Sequence, residues 1–373
     1  MNDSNNLDTM SKNGQKLKLA LIFGGKSAEH EVSVVSAKNV FEAIDRHKYD
    51  VFLVGIDKKG GWRAVDRKSL SSGKMKFVDD NDKVFRSVTP MISKGQFMIA
   101  TEKGKRRIDV TFPIIHGTFG EDGTIQGLLK MFNVPFVGPD VLGSAIGMDK
   151  DVSKRLLREA KIPVSKFLVF GNSQKNEITF HKVKKELGLP MFVKPANLGS
   201  SVGISKVSSE KDFSKAIKEA FSYDKKIIIE EAVIGKEIEC SVLGNENPVA
   251  SIPGEIIPNH DFYSYEAKYI DANGAAMKIP ADIKKATAAK IQKMAIDVFK
   301  TLCAEGMGRV DFFLTPKDEI FVNEINTIPG FTSISMYPKL WEKSGIAYGE
   351  LIDKLITLAI KRHQAEKVLR TSK

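Results

Sequence analysis

A chain of 373 residues is longer than one ordinary hydrophobic core supports and predicts two or three domains. Its 42% hydrophobic and 28% charged content is that of a folded globular protein. No apolar run approaches the roughly 20 residues that span a bilayer, and the polar start, residues 1–18, lacks the apolar segment of a secretory signal. A cytoplasmic protein with no membrane partner is expected. The net charge of +11 raises the question of nucleic acid. Its densest clusters, residues 103–107 and 361–373, carry none of the interleaved aromatics that single-strand binders use. A solvated basic surface, favourable to an anionic substrate, is the reading preferred over a nucleic-acid partner. Cys240 and Cys303 read as small buried hydrophobes, and neither looks like half of a disulfide or a metal pair.

In chain order, residues 1–16 read as a disordered polar leader. An apolar run over 17–23 then ends in Gly24-Gly25, a buried strand feeding a tight turn. Helical periodicity over 32–44 and a second apolar run over 51–56 predict a parallel βαβ start. Residues 58–107 are polar and irregular, which suggests hairpins or an insertion. The core pattern returns at 110–115, and 123–132 reads as a helix. A boundary is placed at Gly138-Pro139. Helices over 151–160, 180–187 and 210–221 alternate with strands over 166–170, 191–194 and 226–231. Residues 236–256 are strand-rich, a long loop covers 257–280, and helices close the chain over 283–303 and 348–363. The fold class expected is α/β and α+β multidomain: an N-terminal Rossmann-like domain (17–139) with a parallel sheet, a small central domain (140–231) and a C-terminal domain (232–373).

The segments 310–314 and 320–325 flank the turn-forming Thr315-Pro-Lys-Asp318. A turn symmetric about Lys317 and Asp318 sets Asp311 opposite Glu324 and Arg309 opposite Asn326, all on one face. Val310, Phe312, Leu314, Phe321 and Ile325 fall on the other, core face. Two acids and an amide so close repel unless a hard cation sits among them, and magnesium suits such oxygens. Arg309 pairing with Asp311 on a solvated face is the alternative. Lys194-Pro-Ala-Asn-Leu-Gly199-Ser200-Ser201-Val-Gly203 offers small residues and hydroxyls to a phosphate, with Lys194 for charge. It is not a Walker loop, and an ordinary strand connection would look the same. Glu230, Glu231 and Glu237 flank a linker where an adenine and a ribose could be held, or are plain surface charges.

These pieces together resemble the ATP-grasp superfamily, and the first-domain motifs narrow the resemblance to D-alanine–D-alanine ligases. The motifs are Gly24-Gly-Lys-Ser-Ala-Glu29-His-Glu-Val-Ser33, His116-Gly-Thr-Phe-Gly-Glu-Asp-Gly-Thr-Ile-Gln-Gly127 and Met148-Asp-Lys150. Tyr265-Glu-Ala-Lys-Tyr269, Gly308-Arg-Val-Asp311 and Asn323-Glu-Ile-Asn-Thr-Ile-Pro-Gly330 follow in order. Any one could arise by chance; the ordered set is specific. The resemblance implies an ATP-grasp pair of domains after residue 139. It assigns Lys150 and Lys194 to the nucleotide, Ser200 and Ser201 to a loop closing over phosphates, Glu230, Ala232 and Val233 to adenine, and Glu237 to ribose. Asp311, Glu324 and Asn326 would hold two magnesium ions, with manganese a possible substitute.

On the substrate side, the resemblance sets Glu29 against the ammonium of the first D-alanine and His116 near its carboxylate. Arg309 and the Gly330 backbone would stabilise the tetrahedral intermediate. Lys268 would contact phosphate, Ser335 the second carboxylate, and Tyr269 would reach toward Glu29 and Ser200. The implied reaction joins two D-alanines through an acyl phosphate for cell-wall synthesis, in a homodimer, under a lid formed by 257–280. Tyr269, where some relatives have Phe, favours D-alanine over D-lactate as second substrate. Ala232 departs from the large aromatic that many relatives carry beside adenine. The competing expectations are another ATP-grasp ligase, a D-lactate or D-serine ligase, a non-catalytic nucleotide-binding regulator and, least, a basic RNA-binding protein.

Overall fold

The computed structural model describes residues 15–72, 86–258 and 275–370. Three separate sheets carry the site, with a fourth, small antiparallel sheet (Thr89–Ser93, Gln96–Thr101, Gly104–Arg107) at the periphery. The first large sheet has the order Arg86–Ser87, Trp62–Ala64, Tyr49–Ile56, Leu17–Gly24, Val110–Ile114. Leu17–Gly24 pairs in parallel with both of its neighbours. Leu19 through Phe23 are fully buried, because layers on both faces leave the central strand no polar side. At the end of this strand the chain must turn at once, and Gly24 does so at φ +90. A Cβ there would stand 2.3 Å from the Ile56 carbonyl oxygen, so no larger residue fits. The turn delivers the helix His30–Ala43.

The second sheet is antiparallel, in the order Ser205–Val207, Met191–Pro195, Lys226–Glu231, Phe167–Gly171. Helices Phe180–Leu187 and Glu210–Tyr223 cover one face through Val183, Leu187, Phe213, Ala216 and Ile217. In the third, Lys236–Gly244 lies between Gly254–Pro258 and Gly306–Leu314, and Ile320–Asn326 closes the hairpin. Helix Lys285–Thr301 seals its back with Ile291, Ala295, Val298 and Phe299 against Ile238, Val242, Val310 and Phe312.

Two helices, Val141–Met148 and Met336–Lys343, are not expected from the sequence. The first contains Gly143 and Gly147, which read as breakers but serve close approach: a Cβ would meet the Cys303 carbonyl oxygen at 2.3 Å and Thr327 Cγ2 at 2.5 Å. Cys240 is buried as expected, but Cys303 is exposed, because the chain leaves helix Lys285–Thr301 through a left-handed turn at that residue. The described start of the basic tail, residues 361–367, continues helix Tyr348–Lys367, whose buried face includes Arg362.

The N-terminal sheet and the C-terminal helices share one core. Phe112, Leu21 and Leu53 pack with Phe331, Tyr337, Trp341, Leu351 and Leu355. Phe331 meets Phe112 edge-on, ring centres 6.0 Å apart, and also contacts Tyr337 and Tyr348. Arg362, buried, fastens the same junction by donating to the Gly138 and Phe136 carbonyls at 2.6 and 2.9 Å, its guanidinium over the Phe136 ring. Arg362→Met would leave both carbonyls buried without a donor. The expected loss is roughly 2–4 kcal/mol, seen as a lower urea midpoint. Lys293→Ala, on an exposed helix face, should change stability by less than about 0.5 kcal/mol.

Candidate active site

Arg309 lies opposite Asn326 and Asp311 opposite Glu324, the pairs expected, but the turn itself is centred on Lys317, with Leu314 opposite Ile320, and a bulge restores those pairs. Beyond Asp311 the pairing shifts, with Phe312 opposite Val322 and Phe313 opposite Phe321. This bulge reverses the alternation in the second strand. Ile320 and Val322 therefore enter the core and Phe321, expected there, stays only half-buried.

Arg309 holds both oxygens of Asp311 at 2.7 Å, and Asn326 Nδ2 donates to Oδ2 at 2.9 Å. The arginine also lies 2.8 Å from Glu239, on the neighbouring strand. The alternative pairing for Asp311 is thus present, but in a largely buried cleft and not on a solvated face. Glu324 is matched by Lys150 at 3.1 Å. Among the described residues no three His, Cys, Asp or Glu side chains gather into a metal cage. Asp311, Glu324 and the Asn326 amide fit instead a hard cation that completes its shell with water and phosphate oxygens. Arg309 and Lys150 now neutralise the two acids that such an ion would share.

Helix Lys150–Glu159 starts where it does because Asp149 accepts from the Asp151 and Val152 amides, with Lys226 paired to Asp149 at 2.6 Å. Lys150 is thereby aimed at the Gly/Ser loop, donating to the Leu198 carbonyl at 2.8 Å. In that loop Ser200 and Ser201 take φ values of +53 and +61. Lys194 ends the strand before the loop and pairs with Glu230 at 2.7 Å. Burial alone would raise the Glu230 carboxyl, but Lys154 and Lys194 beside it hold it down at about 2. Glu237 lies near enough to help keep Lys194 charged. The Ala232 N–H donates to the Pro190 carbonyl.

Glu29 stands at the N-terminus of His30–Ala43, buried, and accepts a short hydrogen bond from Ser200 Oγ. This contact joins the first domain to the Gly/Ser loop. Gly117 passes so close that a Cβ would be 2.4 Å from Glu29 Oε2. His116 lines the same pocket as Glu29, and its ring is held by the protein on both sides. Its Nδ1–H donates to the Ile328 carbonyl at 3.0 Å, and its Nε2 accepts from Ser36 Oγ at 2.9 Å. Ser36 in turn accepts from the Phe331 N–H at 3.2 Å. Both ring nitrogens are thus spent on fixing the loop that contains Gly330. Burial keeps this imidazole neutral, its pKa down at about 4.

Ser335 Oγ caps the same loop, accepting from the Thr332 N–H at 3.0 Å. Gly330 passes close beside it: a Cβ would meet Ser335 Oγ at 2.7 Å and displace that hydroxyl. Glu121, not singled out from the sequence, accepts from the Gly117 and Ile328 amides at 2.7 and 3.3 Å. Burial and then the nearby Glu29 charge push its carboxyl upward. Its motif is visible in the sequence, but its desolvation depends on a loop 207 residues away.

One pocket gathers Glu29, His116, Ser200, Arg309, Glu324, Asn326, Gly330 and Ser335 from all three sheets. Lys268 and Tyr269, with most of the expected lid, lie outside the described residues. A carboxylate hairpin beneath a serine loop borne on a separate antiparallel sheet is an ATP-grasp arrangement, the architecture of ligases that activate a carboxylate with ATP. The family described as D-ala D-ala ligase matches here in two parts, its N-terminus over residues 18–139 and its C-terminus over 156–357. A D-alanine–D-alanine ligase of Oceanobacillus iheyensis is 54% identical, over 96% of this chain and 99% of that protein. The solved D-alanine–D-alanine ligase of Coxiella burnetii superposes with a TM-score of 0.83 at 39% identity, covering 94% of this chain and 96% of that one. The VanG D-Ala:D-Ser ligase of Enterococcus faecalis gives 0.82 at 35% identity, over 92% and 100%. This chain belongs to the D-alanine–D-alanine ligase family.

The neutral His116 makes stability depend on pH. Unfolded, an imidazole titrates near 6.5; folded, this one resists protonation until about 4. Its contribution is therefore complete above pH 6.5 and is lost progressively as pH falls from 6.5 to 4. We expect His116→Asn to flatten the fall of unfolding free energy across that window, by up to roughly 3 kcal/mol, measured by urea titration at several pH values. An unchanged slope would mean that His116 is protonated in the folded protein.

Proposed function

We propose that this protein joins two D-alanines into D-alanyl-D-alanine with ATP, for peptidoglycan precursors. The observation that carries the reading is the Ser200–Glu29 contact. It sets a buried carboxylate of the first domain beneath the serine loop, in the pocket that Arg309 and Gly330 also line. Glu29 can receive an ammonium group. The serine loop with Lys150 and Lys194 can receive phosphates.

A free carboxylate is a poor acyl donor. The first D-alanine's carboxylate oxygen attacks the γ-phosphorus of ATP, ADP leaves, and an acyl phosphate forms. The second D-alanine's amine, having lost its proton, attacks the acyl carbon. The C–O bond then breaks and inorganic phosphate departs. No covalent protein nucleophile is required. Lys150 and Lys194 hold the phosphates, and Arg309, with the Gly330 N–H, faces the oxyanion of the second step. Asp311, Glu324 and Asn326 would hold magnesium, which supplies charge neutralisation at the transferring phosphoryl group. The backbone at Val233 and the Glu230 carboxylate would receive adenine, and Glu237 the ribose. Ser335, beside Gly330, would receive the second D-alanine's carboxylate. A homodimer, manganese substitution and closure of the 257–280 segment over the reaction belong to the same proposal.

Purified protein with ATP and magnesium should release phosphate only when D-alanine is present, and not with L-alanine. The product should be the D-dipeptide, in preference to mixed products when D-serine or D-lactate is added. Folded protein that binds ATP yet shows no D-alanine-dependent release would overturn the assignment. In the active enzyme, Arg309→Gln should lower kcat by roughly 10²–10³-fold, the usual cost of one oxyanion donor. A loss confined to KM would remove Arg309 from the chemical step.

A further inference from the structure

Helix Lys150–Glu159 presents a second lysine one turn after Lys150, and its environment is unusual. Lys154 is 2% exposed, among the largest fully buried side chains of the protein. Lysine is almost never buried to this degree without a partner that demands it. Its Nζ lies 3.1 Å from Glu230 Oε1 and 3.2 Å from Ser165 Oγ. Lys194 takes the other oxygen of the same carboxylate. Glu230 is itself 2% exposed and sits on strand Lys226–Glu231, directly across from Phe192 on the strand that carries Lys194.

Two cations share this carboxylate, with Glu237 and Glu324 offsetting part of the second positive charge. A phosphate would be a further anionic partner for one of the two cations. Lys194 stands where such a partner would arrive, near the end of the strand that leads into the Gly/Ser loop. Lys154 is enclosed between the helix and the sheet and has nowhere else to turn. If Lys154 were absent, Lys194 could leave for a phosphate only by abandoning a fully buried carboxylate, which is strongly unfavourable.

We propose that Lys154 is a positioning residue of the nucleotide site: it is the permanent counter-ion of Glu230, which frees Lys194 to serve the phosphates. The division of labour is geometric. Residues i and i+4 share a helix face, so Lys150 reaches the hairpin and loop while Lys154 reaches the wall where the base would lie. Glu230, ionised and held from behind, can only accept hydrogen bonds. It therefore suits the 6-amino group of adenine and disfavours the 6-oxo group of hypoxanthine. The inference rests on the nucleotide reading of this site, though not on the identity of the amino-acid substrates.

The test uses the full-length chain with Lys154→Met and Lys154→Arg. Binding of magnesium with the non-hydrolysable imido analogue of ATP is followed by calorimetry, and steady-state kinetics are run with ATP and inosine triphosphate. Lys154→Met should weaken analogue binding and raise KM for ATP at least about tenfold, with KM for D-alanine unchanged. Its preference for ATP over inosine triphosphate should fall. Lys154→Arg, which keeps the charge, should recover most of both. Folded Lys154→Met with unchanged analogue affinity would overturn the proposal, as would equal losses toward ATP and D-alanine. Should the Met variant not fold, Lys154→Gln, a donor without charge, is read by the same criteria. Because analogue binding needs no turnover, a failure of the ligase assignment would appear separately, as intact binding without D-alanine-dependent phosphate release.

Discussion

Acidic side chains crowd the place where the three sheets meet, and the architecture depends on how their charge is balanced. Glu29, Glu121, Glu239, Asp311 and Glu324 line or border one small pocket, with Glu230 buried behind it. At these separations and with little water, carboxylates repel strongly. They are answered by cations and donors from several elements: Arg309 from the central hairpin, Lys150 and Lys154 from one helix, Lys194 from the second sheet, Ser200 from the loop above, and the Gly117 and Ile328 amides for Glu121. The site therefore exists only when the domains are assembled. The same positive groups that stabilise it suit the arrival of phosphates.

Position is secured by a second system that carries no net charge. The run from the Phe331 N–H through Ser36 and His116 to the Ile328 carbonyl ties the Gly330 loop to the N-terminal sheet at both ends. Phe331 itself is buried in the core shared by the first and last domains. A backbone N–H at Gly330 can act on a developing oxyanion only if it is held before the reaction begins. Here a hydrogen-bonded relay and an aromatic cluster both hold it. The neutral imidazole is part of that rigidity, since a second proton would abolish acceptance from Ser36.

Much of this is legible in the residues. The turn at 315–318 marks the hairpin and apolar runs mark the central strands, while the alignment of Asp311 with Glu324 is completed by a bulge. The bulge past Asp311 is not legible, because strict alternation allows no extra residue and so places Phe321 in the core. Helix Val141–Met148 is hidden by two glycines whose reason is contact with residues 303 and 327. Lys154 and Glu239 give no local signal, and Glu121 shows only as a member of its motif. A lysine on a polar helix looks solvated until the sheet that buries it is known, and Glu121 becomes desolvated only when the loop at 328 closes on it. His116 is visible as a motif residue, but its two partners lie 80 and 212 positions away.

If the balanced charges of this cleft serve transfer of a phosphoryl group to a carboxylate, the oxygen atoms must record it. D-Alanine labelled with ¹⁸O in its carboxyl group provides the most direct test. Attack of the carboxylate on ATP, followed by loss of phosphate to the second amine, must carry one labelled oxygen into the inorganic phosphate, which mass spectrometry would show. Phosphate released without the label, alongside dipeptide formation, would contradict an acyl phosphate and with it the roles of the lysines and Arg309.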